Sequence, residues 1–195
     1  MILFGAIGGA FWATIPAILK TKFNTNEILT SLMLTYVALF ILDYFVVGPW
    51  KDPAGYGLPK SMPFPDAGRL PVLFDGLRVH IGVYFAIIIC FITYIVYNKT
   101  LFGFKLKVTG LSSKASQYAG FKYKNLIFYT FIISGACAGL AGLFEVSGPI
   151  GLLYRDISPN YGFTAIIVAF LGRLNPFGII SVSYTHLRAH ETHDD

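Results

Sequence analysis

Charge is scarce in this sequence. Only 13% of its 195 residues are Asp, Glu, Lys or Arg, against about 25% in a soluble globular domain. Hydrophobic residues make up 55%, and the mean hydropathy is +0.63. That balance excludes an ordinary water-soluble core and specifies an integral membrane chain. Cysteine is equally sparse. Cys90 and Cys137 each lie inside an apolar run and form no CxxC, so both are expected to be buried thiols. No GxxxxGK[ST] occurs, so the chain carries no phosphate loop of its own. Acidic residues number 10 against 15 basic ones, for a net charge of +5. In a membrane chain such an excess reports topology, not nucleic-acid binding. No basic segment precedes the first apolar run, which argues against a signal peptide. The true start of the chain is expected upstream.

What the sequence has in abundance is long apolar runs. Residues 2–19 (run A), 28–47 (run B, broken only by Asp43), 81–97 (run C) and 125–144 (run D) are otherwise uncharged. Each approaches the roughly 20 residues that a helix needs to cross about 30 Å of hydrocarbon. Residues 161–172 are also uncharged but too few, and that length predicts a half-crossing or re-entrant helix. Pro176 and Gly178 follow and are expected to interrupt it. The expected fold is therefore all-α: a polytopic bundle of about four full spans plus one half-crossing helix.

The loops orient these spans. Lys20 and Lys22 lie between runs A and B. Lys99, Lys105, Lys107, Lys114, Lys122 and Lys124 lie between C and D, with no acid among them. The positive-inside rule places both loops in the cytoplasm. The B–C loop mixes Lys51, Lys60, Arg69 and Arg78 with Asp52, Asp66 and Asp75. It is Pro- and Gly-rich and reads as an ordered extended cap on the outer face. Gly5 and Gly9, and likewise Gly135 and Gly139, are four apart, the spacing that lets helix backbones approach closely in a membrane.

The end of the chain changes character. Residues 181–195, SVSYTHLRAHETHDD, hold three of the four histidines. His186 and His190 have the spacing of a metal pair, but the segment resembles a translated adapter tail. It is set apart from residues 1–180 as non-native, and no metal or cofactor is expected anywhere in the chain.

Between runs C and D the chain becomes polar. Phe104, Leu106 and Val108 alternate with Lys105, Lys107 and Thr109, which predicts an extended piece along the membrane surface. Ser112 or Ser113 can cap a helix start and Gly120 can end it. Ala115, Tyr118 and Ala119 share a face of that two-turn helix. So short a helix needs a partner surface. Physics alone leaves two readings open: a helix lying on lipid headgroups, or a docking helix for a cytoplasmic subunit.

The stretch GLSSKASQYAGFKYKN (110–125) resembles the coupling loop of ABC importer permeases. The superfamily is that of branched-chain amino acids, ribose and simple sugars, and the likeness is closest to its nucleoside branch. That loop follows G-x-N-x-x-A-A-x-Y-A-G-I. Gly110, Ala115, Tyr118, Ala119 and Gly120 match, while Ser112, Ser116 and Phe121 depart. FNTNEILTSLMLTY (23–36), ISGACAGLAGLFEVSG (133–148) and SPNYGFTAIIVAFLGRLNPFGI (158–179) resemble three further family segments in the same order. The resemblance implies that residues 1–180 are part of a permease domain continuing beyond both ends. It implies a multi-pass protein of the bacterial plasma membrane, importing nucleosides or related simple sugars. The implied partners are a second permease subunit, cytoplasmic ABC ATPase subunits and an extracytoplasmic substrate-binding lipoprotein. ATP hydrolysis would belong to the partner, and Gly110, Lys114, Ala115, Tyr118, Ala119 and Gly120 would form the ATPase-coupling element.

Ionisable groups in or beside the spans are substrate-pathway candidates because they are costly there without a role, and aromatic ones because they can stack on a base or sugar ring, although single aromatics in spans are usually packing or interface anchors. They are Asn26, Glu27, Tyr36, Glu145, Tyr161, Phe163, Arg173 and Asn175, with Trp12 a further aromatic able to stack on a ring. Each has a plainer reading. Asn26 and Glu27 can cap run B, Glu145 can pair with Arg155, and Arg173 can anchor at the interface. Asp43 reads as an interfacial carboxylate. Two other classes compete: an ion-coupled secondary transporter of small polar solutes using Asp43 and Glu145, and a membrane-embedded enzyme, for which no nucleophile–base arrangement is visible.

Overall fold

A computed structural model describes residues 1–53, 55, 58–65, 68–70, 81–155, 157–158 and 161–191. Asp66, Asp75 and Arg78 of the B–C loop, Pro159 and Asn160, and the terminal residues 192–195 lie outside the described residues, as do the side chains of His186 and His190. Most of the described residues are helical: α1 Ile2–Phe23, α2 Glu27–Val47, α3 Gly82–Lys99, α4 Leu101–Leu111, α5 Ser113–Tyr118, α6 Tyr123–Glu145, α7 Tyr161–Leu171 and α8 Pro176–Glu191. α1, α2, α3 and the stretch Tyr123–Gly148 are each long and apolar enough to cross a membrane, and α7 is a shorter apolar helix. Runs A to D therefore became four spans. The 11 residues of α7 extend about 16 Å, half a bilayer core.

The chain divides into two units, Met1–Val83 with Ser112–Ile157, and Tyr84–Leu111 with Ser158–Asp195. In the first, α1 packs on α6 through their small residues. A side chain at Gly9 would put its Cβ 2.7 Å from Gly139 Cα, and one at Gly135 would lie 2.6 Å from Gly9 O. One at Gly5 would lie 2.8 Å from Leu143 Cδ1. The two four-residue glycine pairs thus face each other. Position rises along α1 as it falls along α6, so the helices are antiparallel. Without glycine the backbones could not meet, and in lipid that contact is what binds helix to helix. By contrast, Gly8 and Gly142 face open space.

α1 ends at Asn24, in the left-handed conformation at φ 52°, a role asparagine tolerates. α6 runs on into a π-helical turn, Val146–Ile150, closed by Gly151 at φ 69°. The segment after it ties down the B–C loop. Ser61 N donates to Leu153 O (2.8 Å), Phe64 N to Gly151 O (2.8 Å) and Leu70 N to Ser147 O (2.8 Å). Leu153 N donates to Ser61 Oγ at 2.8 Å. The strand-like pairing is antiparallel, as expected of an ordered extended cap. Trp50 stacks on Phe45 at 4.6 Å and holds the loop's start against the end of α2.

In the second unit the alternating segment 104–109 is not extended. It belongs to α4. Six alternating residues are a short signal, and Phe, Leu and Lys are adequate helix formers. At an interface a helix satisfies its backbone internally where an extended piece does not. Thr100 Oγ1 accepts from Gly103 N at 3.2 Å, and a Cβ at Gly103 would strike the carbonyls of Val96 and Tyr97. The α3–α4 corner is therefore tight. Lys107 Nζ donates to Asn98 Oδ1 at 2.9 Å and sits 4.5 Å from the Tyr97 ring centroid. α7 and α8 form a hairpin in which a Cβ at Gly172 would lie 2.8 Å from Ile179 N. Pro176 does not keep the chain from returning to helix. It opens α8, the first-turn position proline suits, and α8 continues into the 181–191 segment.

Candidate functional site

The polar helix between runs C and D is α5. Its start is set by Ser112, whose Oγ accepts from Ala115 N at 3.2 Å. Its end is set by Gly120 at φ 73°, where a residue with a side chain would be strained. Gly110 lies within α4, and the break between the two helices falls at Ser112. α5 rests against α6 and buries Ser116 completely. Lys114, Ala115, Tyr118, Ala119 and Gly120 are all exposed, and Tyr118 is 93% accessible. The six residues of α5 are thus seated at one buried serine, with the opposite face exposed.

Within the first unit the pathway candidates do not converge. Asn26 caps α2, its Oδ1 accepting from Ile28 N at 3.0 Å and Leu29 N at 3.5 Å. Glu27 pairs with Lys20 at 2.5 Å. Both therefore brace the α1–α2 turn. Tyr36 is 57% exposed on the flank of α2. Glu145 is half-buried at the far end of α6, 22 residues or about 33 Å along from the helix start. Arg155, the partner expected for Glu145, instead lies 3.5 Å from Asp43 Oδ2. The other Asp43 oxygen is buried and has no hydrogen-bond partner. Asp43 is thus a paired carboxylate, a role the sequence reading did not assign it. Trp12 is half-buried on α1.

In the second unit Tyr161 and Phe163 are exposed on α7, at 45% and 47%. Arg173 (φ 53°) and Leu174 (φ 55°) are both left-handed, uncommon for two consecutive non-glycine residues. Asn175 Oδ1 accepts from Phe177 N at 3.2 Å, capping α8. The hairpin turn is thus bounded by Gly172 on one side and by an asparagine cap on the other. No group of three or more His, Cys, Asp or Glu residues is placed to hold a metal among the described residues.

Most of the large apolar side chains on the spans are exposed, Phe4, Phe11, Phe40, Ile92 and Phe170 among them, and the buried core is small. Such a surface is covered by lipid or by other protein.

The model of a family described as the permease component of branched-chain amino acid transport systems matches residues 1–188. The chain is 39% identical over 184 residues to a glucose ABC transporter permease of Haloferax volcanii, covering 89% of this chain and 48% of the relative. It is 32% identical to a guanosine ABC transporter permease of Bacillus subtilis, covering 92% and 52%. It is 30% identical to a nucleoside ABC transporter permease of Lactococcus lactis, covering 92% and 52%. The chain thus spans about half the length of these relatives. No solved structure matches it.

Proposed function

The chain belongs to the branched-chain amino acid transport permease family, and from that premise we propose that it forms part of the pore of an ATP-driven importer for nucleosides or related simple sugars. It is a multi-pass protein of the bacterial plasma membrane, and its transport role is read through its relatives. Two of those named above carry guanosine or nucleoside in their names and one carries glucose, and purine nucleosides and hexoses share hydroxyl-rich rings.

The observation that carries the proposal is α5. A capped helix of six residues has no stability of its own, yet it is fixed by Ser116 and exposes Lys114, Ala115, Tyr118 and Ala119. That is the form needed by a knob entering a groove on an ATPase. Gly110 and Gly120 flank it in the family pattern. Hydrolysis belongs to the ATPase, so this chain is a conduit and not an enzyme. A second permease subunit and a substrate-binding lipoprotein complete the assembly. Asn26, Glu27, Tyr36, Glu145, Tyr161, Phe163, Arg173 and Asn175 remain candidates for the pathway or its gating. Residues 181–195 are assigned no part in transport.

The test is uptake by the full-length permease reconstituted with its ATPase and receptor. Labelled guanosine or glucose should accumulate with internal ATP and ignore dissipation of ion gradients. Accumulation that follows an ion gradient and ignores ATP would sink the reading in favour of secondary transport.

A further inference from the structure

The lysine-bearing ends of α1 and α6 enclose a cavity of about 380 Å³ lined by Ile18, Thr21, Lys22, Lys124, Asn125, Phe128 and Tyr129. A second cavity of about 270 Å³ shares Thr21, Lys22 and Lys124 and adds Lys20 and Asn24. No acid lines either one. Lys20 is engaged by Glu27, whereas Lys22 and Lys124 are exposed and form no ion pair among the described residues.

The order of the lining residues is specific. α1 approaches its lysine end from within the membrane, and α6 leaves that end in the opposite direction. Ile18 is four residues before Lys22, and Phe128 is four after Lys124, so each lies about 6 Å deeper on its helix. The cavity therefore has a cationic layer, then a hydroxyl and amide layer of Thr21 and Asn125, then an apolar layer of Ile18 and Phe128. Tyr129 follows Phe128 along α6 and adds its ring to that deeper layer. A soluble phosphate would use only the first two layers. A phospholipid would use all three, its phosphate between the lysines and its first acyl carbons against Ile18 and Phe128.

We propose that this cleft binds the phosphodiester of an anionic phospholipid from the adjoining leaflet. The lysines supply charge and donors, Thr21 and Asn125 supply neutral hydrogen bonds, and a lipid seated there would tie α1 to α6 at the end where no glycine pair joins them. The inference rests on these helices crossing a bilayer and not on the transported solute.

The experiment places the full chain in nanodiscs of phosphatidylcholine containing spin-labelled phosphatidylglycerol or spin-labelled phosphatidylcholine, and compares the immobilised fractions. Phosphatidylglycerol is present in both leaflets, so the result depends neither on orientation nor on transport. Wild type should prefer phosphatidylglycerol. Removing a juxtamembrane lysine costs about fivefold in attraction to anionic lipid, so K22Q/K124Q should lose at least that, while K105Q/K107Q, with the same charge loss on α4, should retain the preference. If the double variant does not survive purification, the single variants K22Q and K124Q should each show part of the loss. Excess inorganic phosphate should leave the preference intact, and its abolition by phosphate would overturn the lipid assignment in favour of a soluble anion. Equal loss in both double variants would reduce the effect to general charge and overturn it too. So would an unchanged lipid preference in K22Q/K124Q accompanied by loss of a co-purifying ATPase, which would make the cleft a protein-docking surface.

Discussion

Replacing Gly9 by alanine isolates the contact that joins α1 to α6. The added Cβ would sit 2.7 Å from Gly139 Cα, while carbon atoms in ordinary contact are about 3.5–4.0 Å apart. The helices must separate by roughly 1 Å at that level, which also loosens the neighbouring contact at Gly135. Overpacking of this kind costs about 1–3 kcal/mol, and at 1.4 kcal/mol per tenfold that is roughly a 5- to 150-fold fall in the folded fraction relative to unfolded. Gly8 is the control, since its substitution meets nothing within 4 Å. Alanine there removes a glycine from a helix interior, worth up to about 1 kcal/mol in the stabilising direction. Unfolding by titration with a denaturing detergent, followed by circular dichroism, should therefore rank G8A at or above wild type and G9A below it. If G9A and G8A unfold together, the glycine contact does not hold α1 to α6 and the packing argument is wrong.

The remaining predictions concern caps and topology. Asn26→Ala should destabilise by about 1 kcal/mol through loss of the α2 cap, more than Glu27→Gln, whose partly exposed ion pair is worth about 0–1 kcal/mol; denaturation midpoints that reverse this order would refute the assignment. Ser112→Ala should loosen α5 without affecting membrane insertion, and should speed proteolysis between α4 and α6; unchanged cleavage would show that the cap is dispensable. Cysteine at Leu58, exposed on the cap, should react with an impermeant thiol reagent in intact cells while cysteine at Ser113 stays protected. Ser61 is unsuitable for that experiment because its hydroxyl is buried on Leu153 N. The opposite labelling pattern would invert the topology.

The four spans were legible because twenty apolar residues in a row have few alternatives. The glycine pairs were legible as contact surfaces, yet spacing alone did not say that Gly9 meets Gly139. Local capping also read through, since Ser112 and Gly120 act on their immediate neighbours. Three features were hidden. The α4 helix was masked by a brief alternation, and helix won because it satisfies its own backbone. The Arg155–Asp43 pair joins residues more than a hundred positions apart, with Glu145 nearer in sequence and equally plausible by charge. The hairpin at Gly172–Asn175 depends on Pro176 opening a new helix, where proline read in sequence only as an interruption. The same limit applies to the pathway candidates. Asn26, Glu27 and Asn175 occupy capping and bracing positions, which residue type alone did not distinguish from pore lining.

The central claim is that α5 transmits the motion of an ATPase, and Ala115→Glu tests it most directly. The side chain is exposed on the open face of α5, so glutamate there should leave the fold of the free permease unchanged. In the complex it would bury an unpaired charge at the docking surface, at a cost of several kcal/mol. In the reconstituted full-length complex, A115E should insert and express normally but lose ATPase co-purification and substrate-stimulated hydrolysis. Normal ATPase binding together with ATP-driven uptake in A115E would show that α5 is an interfacial anchor and contradict the coupling assignment.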